Sequence, residues 1–276
     1  MFPHRRALDA IGRTVVGMPR QNRLQVADGL YHVFSRGNEH RAIYADDHDR
    51  NRFLETLTEA VERCSWRVLT YCLMDNHYHL LLQTPLPNLS KGMQYLNSVY
   101  AERFNRRHSR VGHVFQGRFK AVLVQSGTHL LTELRYVVRN RVRAGLCSGL
   151  DDWRWAGHAA VLGAAPAGVV DRSAVLALFD ADPARALVQY RQLVEADGDV
   201  RRTAPYRLVL GDAAFVARYT PAAAPSLDLL VTDAADLAAI DAARAHGYSL
   251  AEIAAHLGIH KSTLSRRLRA AQRSGV

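Results

Sequence analysis

The stretch Trp66-Arg-Val-Leu-Thr-Tyr-Cys-Leu-Met-Asp-Asn-His-Tyr-His-Leu-Leu-Leu-Gln83 decides the fold. Two runs of strand-forming residues flank Asp75-Asn76, a turn signal, so residues 66–73 and 77–83 read as a hairpin. Upstream, Asp46 to Cys64 sets Phe53, Leu54, Leu57 and Val61 at helical spacing. Before that helix, Tyr31-His-Val-Phe-Ser-Arg36 alternates and predicts a strand. Downstream, Ser90 to His108 predicts a helix with Ser90 as N-cap. Phe119 to Val124 predicts a strand, and Thr128 to Asn140 a further helix.

The resulting order, β-α-β-β-α-β-α, is the split βαβ pattern of a ferredoxin-like α+β domain. The expectation is an antiparallel sheet with helices on one face, followed by an all-α C-terminal region. Short Ala/Pro/Gly stretches at Gly163–Gly168 and Pro221–Pro225 mark joints. The chain thus divides into an N-terminal tail (1–23), a sheet domain (24–163), a helical connector (164–228) and a C-terminal module (229–276) of three short helices.

Charge separates these parts. The 276 residues carry 36 Lys+Arg against 26 Asp+Glu, a net of +10. Residues 1–160 hold 23 bases and 14 acids, whereas residues 161–232 hold 7 and 8. The excess therefore lies mostly in the first 160 residues and points to a polyanionic partner there. No uncharged apolar run approaches the roughly 20 residues of a bilayer span, so no membrane partner is expected. The first residues lack an apolar signal region, and Cys64, Cys72 and Cys147 are too few for a disulfide framework. A cytoplasmic, nucleoid-associated setting is the expectation.

Within the hairpin, His77 and His79 are one residue apart on a strand, so both imidazoles share a face and can hold one divalent cation. Tyr136 and Asn140 stand four apart on the third helix and share a face of it. A phenol and an amide oxygen could be offered to one site. On proximity alone Tyr78, Tyr95 and Tyr100 are rival nucleophiles.

Five blocks carry a resemblance: Tyr31-His-Val-Phe-Ser-Arg-Gly-Asn38, Tyr71 to Leu82, Phe104-Asn-Arg-Arg-His108, Gly112-His-Val-Phe-Gln-Gly-Arg-Phe-Lys120 and Arg135 to Leu146. In this order they resemble the HUH single-tyrosine transposases, most closely the REP-associated tyrosine transposases, over about Leu24 to Gly163. The resemblance implies a ferredoxin-like HUH domain with His77, His79 and Asn140 as metal ligands and Tyr136 as nucleophile. It implies cleavage of single-stranded DNA through a 5′-phosphotyrosine intermediate, at hairpin-forming repeats. Two nitrogen donors and one oxygen donor, completed by phosphate oxygens, suit Mg²⁺ or Mn²⁺. Two positions depart from the family's pattern: Asp75 and Arg141 stand where proline is usual. His32 is a candidate general base. Both monomers and homodimers occur among such proteins, and both stay open.

Residues 100–120 set Arg103, Arg106, Arg107, Arg110, Arg118 and Lys120 against the single acid Glu102. Tyr100, Phe104, Phe115 and Phe119 are interleaved, although Phe104 and Phe119 also read as core. Such a segment suits phosphates and unpaired bases. Ser249 to Gly258 followed by Ile259 to Ala270 resembles a helix-turn-helix, with Gly258 in the turn and Ser249 with Glu252 as a capping box. Its second helix offers Lys261, Ser262, Thr263, Arg266 and Arg269 to duplex DNA. The leading reading is a DNA-cutting and rejoining enzyme. The alternative is a non-catalytic or domesticated DNA-binding regulator that retains the fold.

Overall fold

The structure, a computed structural model, describes residues 24–165, 168–196, 198, 208–220, 226–245 and 248–274. The tail 1–23 and the joint at Pro221–Pro225 lie outside the described residues. The strands and helices run β1 (Gly29–Arg36), α1 (Asp47–Cys64), β2 (Arg67–Leu73), β3 (His77–Thr84), α2 (Leu89–Arg107), β4 (Lys120–Val124) and α3 (Thr128–Val138). This is the expected order. A short turn of helix, α4 (Asn140–Arg143), follows α3 after a break at Arg139.

Local chemistry sets the ends. Asp46 caps α1 by accepting from the Asp49 amide, and Ser65 closes it in the left-handed region at φ 56°. Helix α2 begins one residue before Ser90. Asn88 occupies its cap position without a side-chain cap bond, because that amide is committed to the Trp66 indole and the Cys64 carbonyl. The Ser90 amide is satisfied instead by Gln25 Oε1.

The sheet order is β2-β3-β1-β4-β5, where β5 is Val209–Leu210. The first four strands pair antiparallel and β5 joins β4 in parallel, so the sheet is mixed. Alternation sends Tyr31, Val33, Tyr78, Leu80, Leu82 and Leu123 to one face. There they pack against Phe53 and Leu57 of α1 and Met93, Leu96, Tyr100 and Phe104 of α2. That face alone has the expected helical cover. The opposite face is not left bare: Leu81, Val122 and Val124 pack beneath Leu130, Leu134, Val137 and Val138 at α3. Both sets of alternating positions are apolar, so both faces need cover.

After α5 (His158–Leu162) come α6 (Arg172–Leu176), α7 (Pro183–Glu195) and α8 (Ala213–Tyr219). Val175, Leu176, Ala186, Tyr190 and Val194 join the α3-side core. The described residues between 168 and 220 therefore lie in the same compact unit as the sheet. Near-neutral, Ala-rich composition reads alike in a linker and in a packing layer. Backbone bridges Val68–Val170 and Cys72–Ala156 fasten the chain after α4 to β2.

The C-terminal unit holds α9 (Leu227–Leu230), α10 (Leu237–Ala245), α11 (Leu250–His256) and α12 (Lys261–Ser274), one helix more than expected. Val231, Ile240, Ile253, Leu264 and Leu268 form its core. Ser249 and Glu252 make the capping box, and Gly258 turns at φ +65°.

Candidate active site

Strand register assembles the site. On β1 and β3, Arg36 lies opposite His77, Phe34 opposite His79, and His32 opposite Leu81. Lys120 on β4 lies opposite Phe34. Directly opposed residues share a face, so His32, Phe34, Arg36, His77, His79 and Lys120 all stand on the side covered by α3. From α3, Glu133 and Tyr136 are three apart, and Asn140 follows four later, so they descend on one stripe.

The expected four meet. The His77 and His79 rings lie 5.1 Å apart between centroids, and Tyr136 lies 5.9 Å from His79 and 5.6 Å from His32. Asn140 Nδ2 is 3.3 Å from His79 Nε2. Tyr136 is half-buried beneath the exposed Arg143, whose guanidinium sits 5.0 Å from the ring centroid. His77 Nδ1 is 2.7 Å from Asn76 Oδ1 and so donates to it, which leaves the Nε2 lone pair for a ligand. Burial, then the Arg36 charge, pushes the His77 pKa down to about 4, so the ring is neutral near pH 7.

The rivals fall away. Tyr78 and Tyr100 are buried on the opposite face, and Tyr95 bonds Glu59 there. His32 is not placed as a general base: Nε2 is 2.8 Å from His79 Nδ1 and Nδ1 is 2.7 Å from Glu133 Oε2, so both nitrogens are engaged. Composition and spacing missed Glu133 and Arg36. Their signals were position −3 from Tyr136 and the alternate position beyond Phe34, which become meaningful only once the register is known.

The basic segment divides. Arg103 pairs with Glu59 at 3.0 Å, Arg106 with Glu102 at 2.5 Å, and Arg107 with Asp46 and Asp49 at 2.6 Å each. These lie on α2, across the sheet from the site. Tyr100, Phe104, Phe115 and Phe119 are buried core residues. Arg110 is exposed over the Phe104 ring and Arg118 is exposed in the following loop, whereas Lys120 shares the face of His79. On α12, Lys261, Ser262, Arg266 and Arg269 are exposed and Thr263 is half-buried.

The two proline departures have structural roles. Asp75 accepts from Arg50 at 2.6 Å and stays exposed. Arg141 is wholly buried, donating to the carbonyls of Val138 and Leu150, and α4 carries the helical path on to Arg143.

A mixed sheet that seats paired histidines under a tyrosine-bearing helix defines a class. Residues 25–140 match the family model described as "Transposase IS200 like", and residues 237–276 match that of a "Homeodomain-like domain". The chain thus carries an IS200-like transposase domain and a homeodomain-like, helix-turn-helix domain. Its resemblance to the REP-associated tyrosine transposases extends to a named relative. A "Putative REP-associated tyrosine transposase" of Haemophilus influenzae is 25% identical over 114 residues, 37% of this chain. The chain spans 65% of that relative's length. The solved "Structure of the REP associates tyrosine transposase bound to a REP hairpin" aligns with a TM-score of 0.46 at 13% identity, covering 55% of this chain and 90% of that one. The solved structure of "a putative transposase from deinococcus radiodurans r1" aligns with a TM-score of 0.32 at 15% identity, over 45% of this chain and 98% of that one.

Among the described residues no helix is long and apolar enough to cross a membrane. Among them, too, no group of three His, Cys, Asp or Glu side chains converges on a metal position.

Proposed function

We propose that this chain cuts and rejoins single-stranded DNA at hairpin-forming repeats, holding the cut 5′ phosphate on Tyr136. The observation that carries this reading is Tyr136 standing over His79 beside His77 and Asn140 on one sheet face. The match to the IS200-like transposase model supports it.

His77 and His79 through Nε2, and Asn140 after rotating its amide oxygen inward, would hold Mg²⁺ or Mn²⁺. The donor chemistry fits: neutral imidazoles with one amide oxygen leave coordination positions for water and phosphate. When bound, the ion would neutralise charge on a non-bridging phosphate oxygen as the reaction proceeds. Tyr136 Oη attacks phosphorus in line and gives up its proton. The bond from phosphorus to the 3′ oxygen breaks, and that oxygen leaves as a 3′ hydroxyl. Attack by another 3′ hydroxyl reverses the step and reprotonates Tyr136. One ester is exchanged for another each time, so no external energy source is needed. Arg36 and Lys120, on the same face, offset phosphate charge as the strand is seated. Arg110 and Arg118 extend this contact, while Lys261, Ser262, Thr263, Arg266 and Arg269 engage duplex DNA.

The test is a labelled hairpin oligonucleotide incubated with Mn²⁺ and run on a denaturing gel. The wild type gives a covalent shift. Tyr136→Phe gives none while still binding the hairpin. A covalent adduct in that variant overturns the nucleophile assignment. Hairpin binding with no adduct from the wild type itself favours the non-catalytic regulator.

A further inference from the structure

On the α3 side of the sheet, one proposed ligand is buried beside two polar side chains to which the proposed reaction gives no role. His32 has no exposed surface, Glu133 is 2% exposed and His79 is 6% exposed. They form a line: Glu133 Oε2 to His32 Nδ1 at 2.7 Å, His32 Nε2 to His79 Nδ1 at 2.8 Å, then His79 Nε2 to the Asn140 amide at 3.3 Å. Each link constrains the next. Glu133 Oε2 lies within ion-pair distance of His32 Nδ1, so the single proton of a neutral His32 is drawn to Nδ1. Nε2 of that ring then presents a lone pair. That lone pair can be met only by a proton on His79 Nδ1. His79 Nε2 is left as a lone pair facing Asn140, the amide of which donates to it.

We propose that Glu133 and His32 are positioning residues which lock His79 in the Nδ1-protonated tautomer, so that its Nε2 lone pair is held ready for a divalent cation. This rests on the metal reading of the site given above. It adds two residues to that site, neither of which touches DNA or the ion. A histidine ligand ordinarily donates its second nitrogen straight to a carboxylate or carbonyl. Here the carboxylate acts through an intervening imidazole. The reach is needed because Glu133 hangs from α3 and His32 and His79 rise from adjacent strands. His77 reaches the same tautomer separately, through Asn76.

The experiment uses the full chain labelled with ¹⁵N-histidine. Long-range proton–nitrogen spectra report which ring nitrogen bears the proton, and His79→Gln identifies the His79 signals by their disappearance. Mn²⁺ affinity is read in parallel by electron paramagnetic resonance of the free ion. The expected wild-type pattern is a proton on His79 Nδ1. In Glu133→Met, which removes the acceptor, the His79 signals shift toward a tautomer mixture and Mn²⁺ binds roughly 10- to 100-fold more weakly. Glu133→Gln, which keeps the shape and can still present an oxygen, gives a smaller change and serves should the Met variant not fold. An unchanged His79 tautomer with unchanged Mn²⁺ affinity in both variants overturns the proposal. If the wild type binds no Mn²⁺, the metal reading of the site falls. The spectra alone then decide the relay: a tautomer that depends on Glu133 upholds it, and one that does not overturns it.

Discussion

The two faces of the sheet are built from alternate residues of the same strands, yet they do different work. The face under α1 and α2 is a dense aromatic core: Phe53 packs against Tyr78 at 4.8 Å and Tyr100 at 5.2 Å between centroids. Its hydroxyls are spent on structure, Tyr78 on Asn97 and Tyr100 on the Ile43 carbonyl. The face under α3 mixes Leu81 and Val122 with His32, His79, Glu133 and Asn140. One face supplies rigidity, and the other spends some of it to keep buried polar groups in fixed places.

Exchanging a single hydroxyl on each side tests this division most severely. Tyr136→Phe is expected to abolish the covalent adduct, since phenylalanine has no hydroxyl to form the ester. Tyr100→Phe is expected to leave adduct formation intact and to cost about 1–2 kcal/mol of stability, since it leaves the Ile43 carbonyl unpaired. Adduct gels and denaturant melts separate the two. A catalytic defect in the Tyr100 variant would break the comparison.

Phe53→Ala should cost about 3–5 kcal/mol through cavity formation while Mn²⁺ affinity stays within a few-fold, as read by melting and titration. Acid attacks the other face. Burial pushes the His158 pKa down to about 4, below an unfolded value near 6.5. The unfolded chain then takes up a proton that the native state refuses. The stabilisation is complete above pH 6.5 and is lost as pH falls toward 4. From pH 7 to 5 this one group removes about 2 kcal/mol, and His158→Gln should flatten the pH dependence of melting by that amount.

The smallest effects distinguish the arginines of α2 from the lysine of β4. Arg107→Ala should lower the melting midpoint modestly, because it strips partners from Asp46 and the buried Asp49, with little change in hairpin affinity. Lys120→Ala should leave stability nearly unchanged and weaken hairpin binding a few-fold, with a shallower salt dependence in a filter-binding or fluorescence titration.

Much of this was legible in the chain. Period-two and period-3.6 patterns gave every element from β1 to α3 in order, and the family resemblance, more than the spacings, singled out His77, His79, Tyr136 and Asn140, which the fold brings together. The partners of the arginines were not legible, because Glu59, Asp46 and Asp49 are 44 to 61 residues away along the chain. A local charge tally sees six bases and one acid, whereas the folded helix sees neighbours from α1. Glu133, and its meeting with His32, were hidden for the same reason: that meeting depends on register across three elements. Strand β5, two residues long, is too short for any periodicity to announce it.

That short strand has a consequence for truncation. Leu123 and Gln125 donate their amides to the Leu208 and Leu210 carbonyls. Cutting the chain at residue 163 would strip this partner from β4 and, with Val170, part of the cover from β2. The trimmed molecule would present open hydrogen-bonding rows on both flanks, a template for strands of other molecules. The sequence between the two recognisable modules thus covers the outer strands on both flanks of the first one.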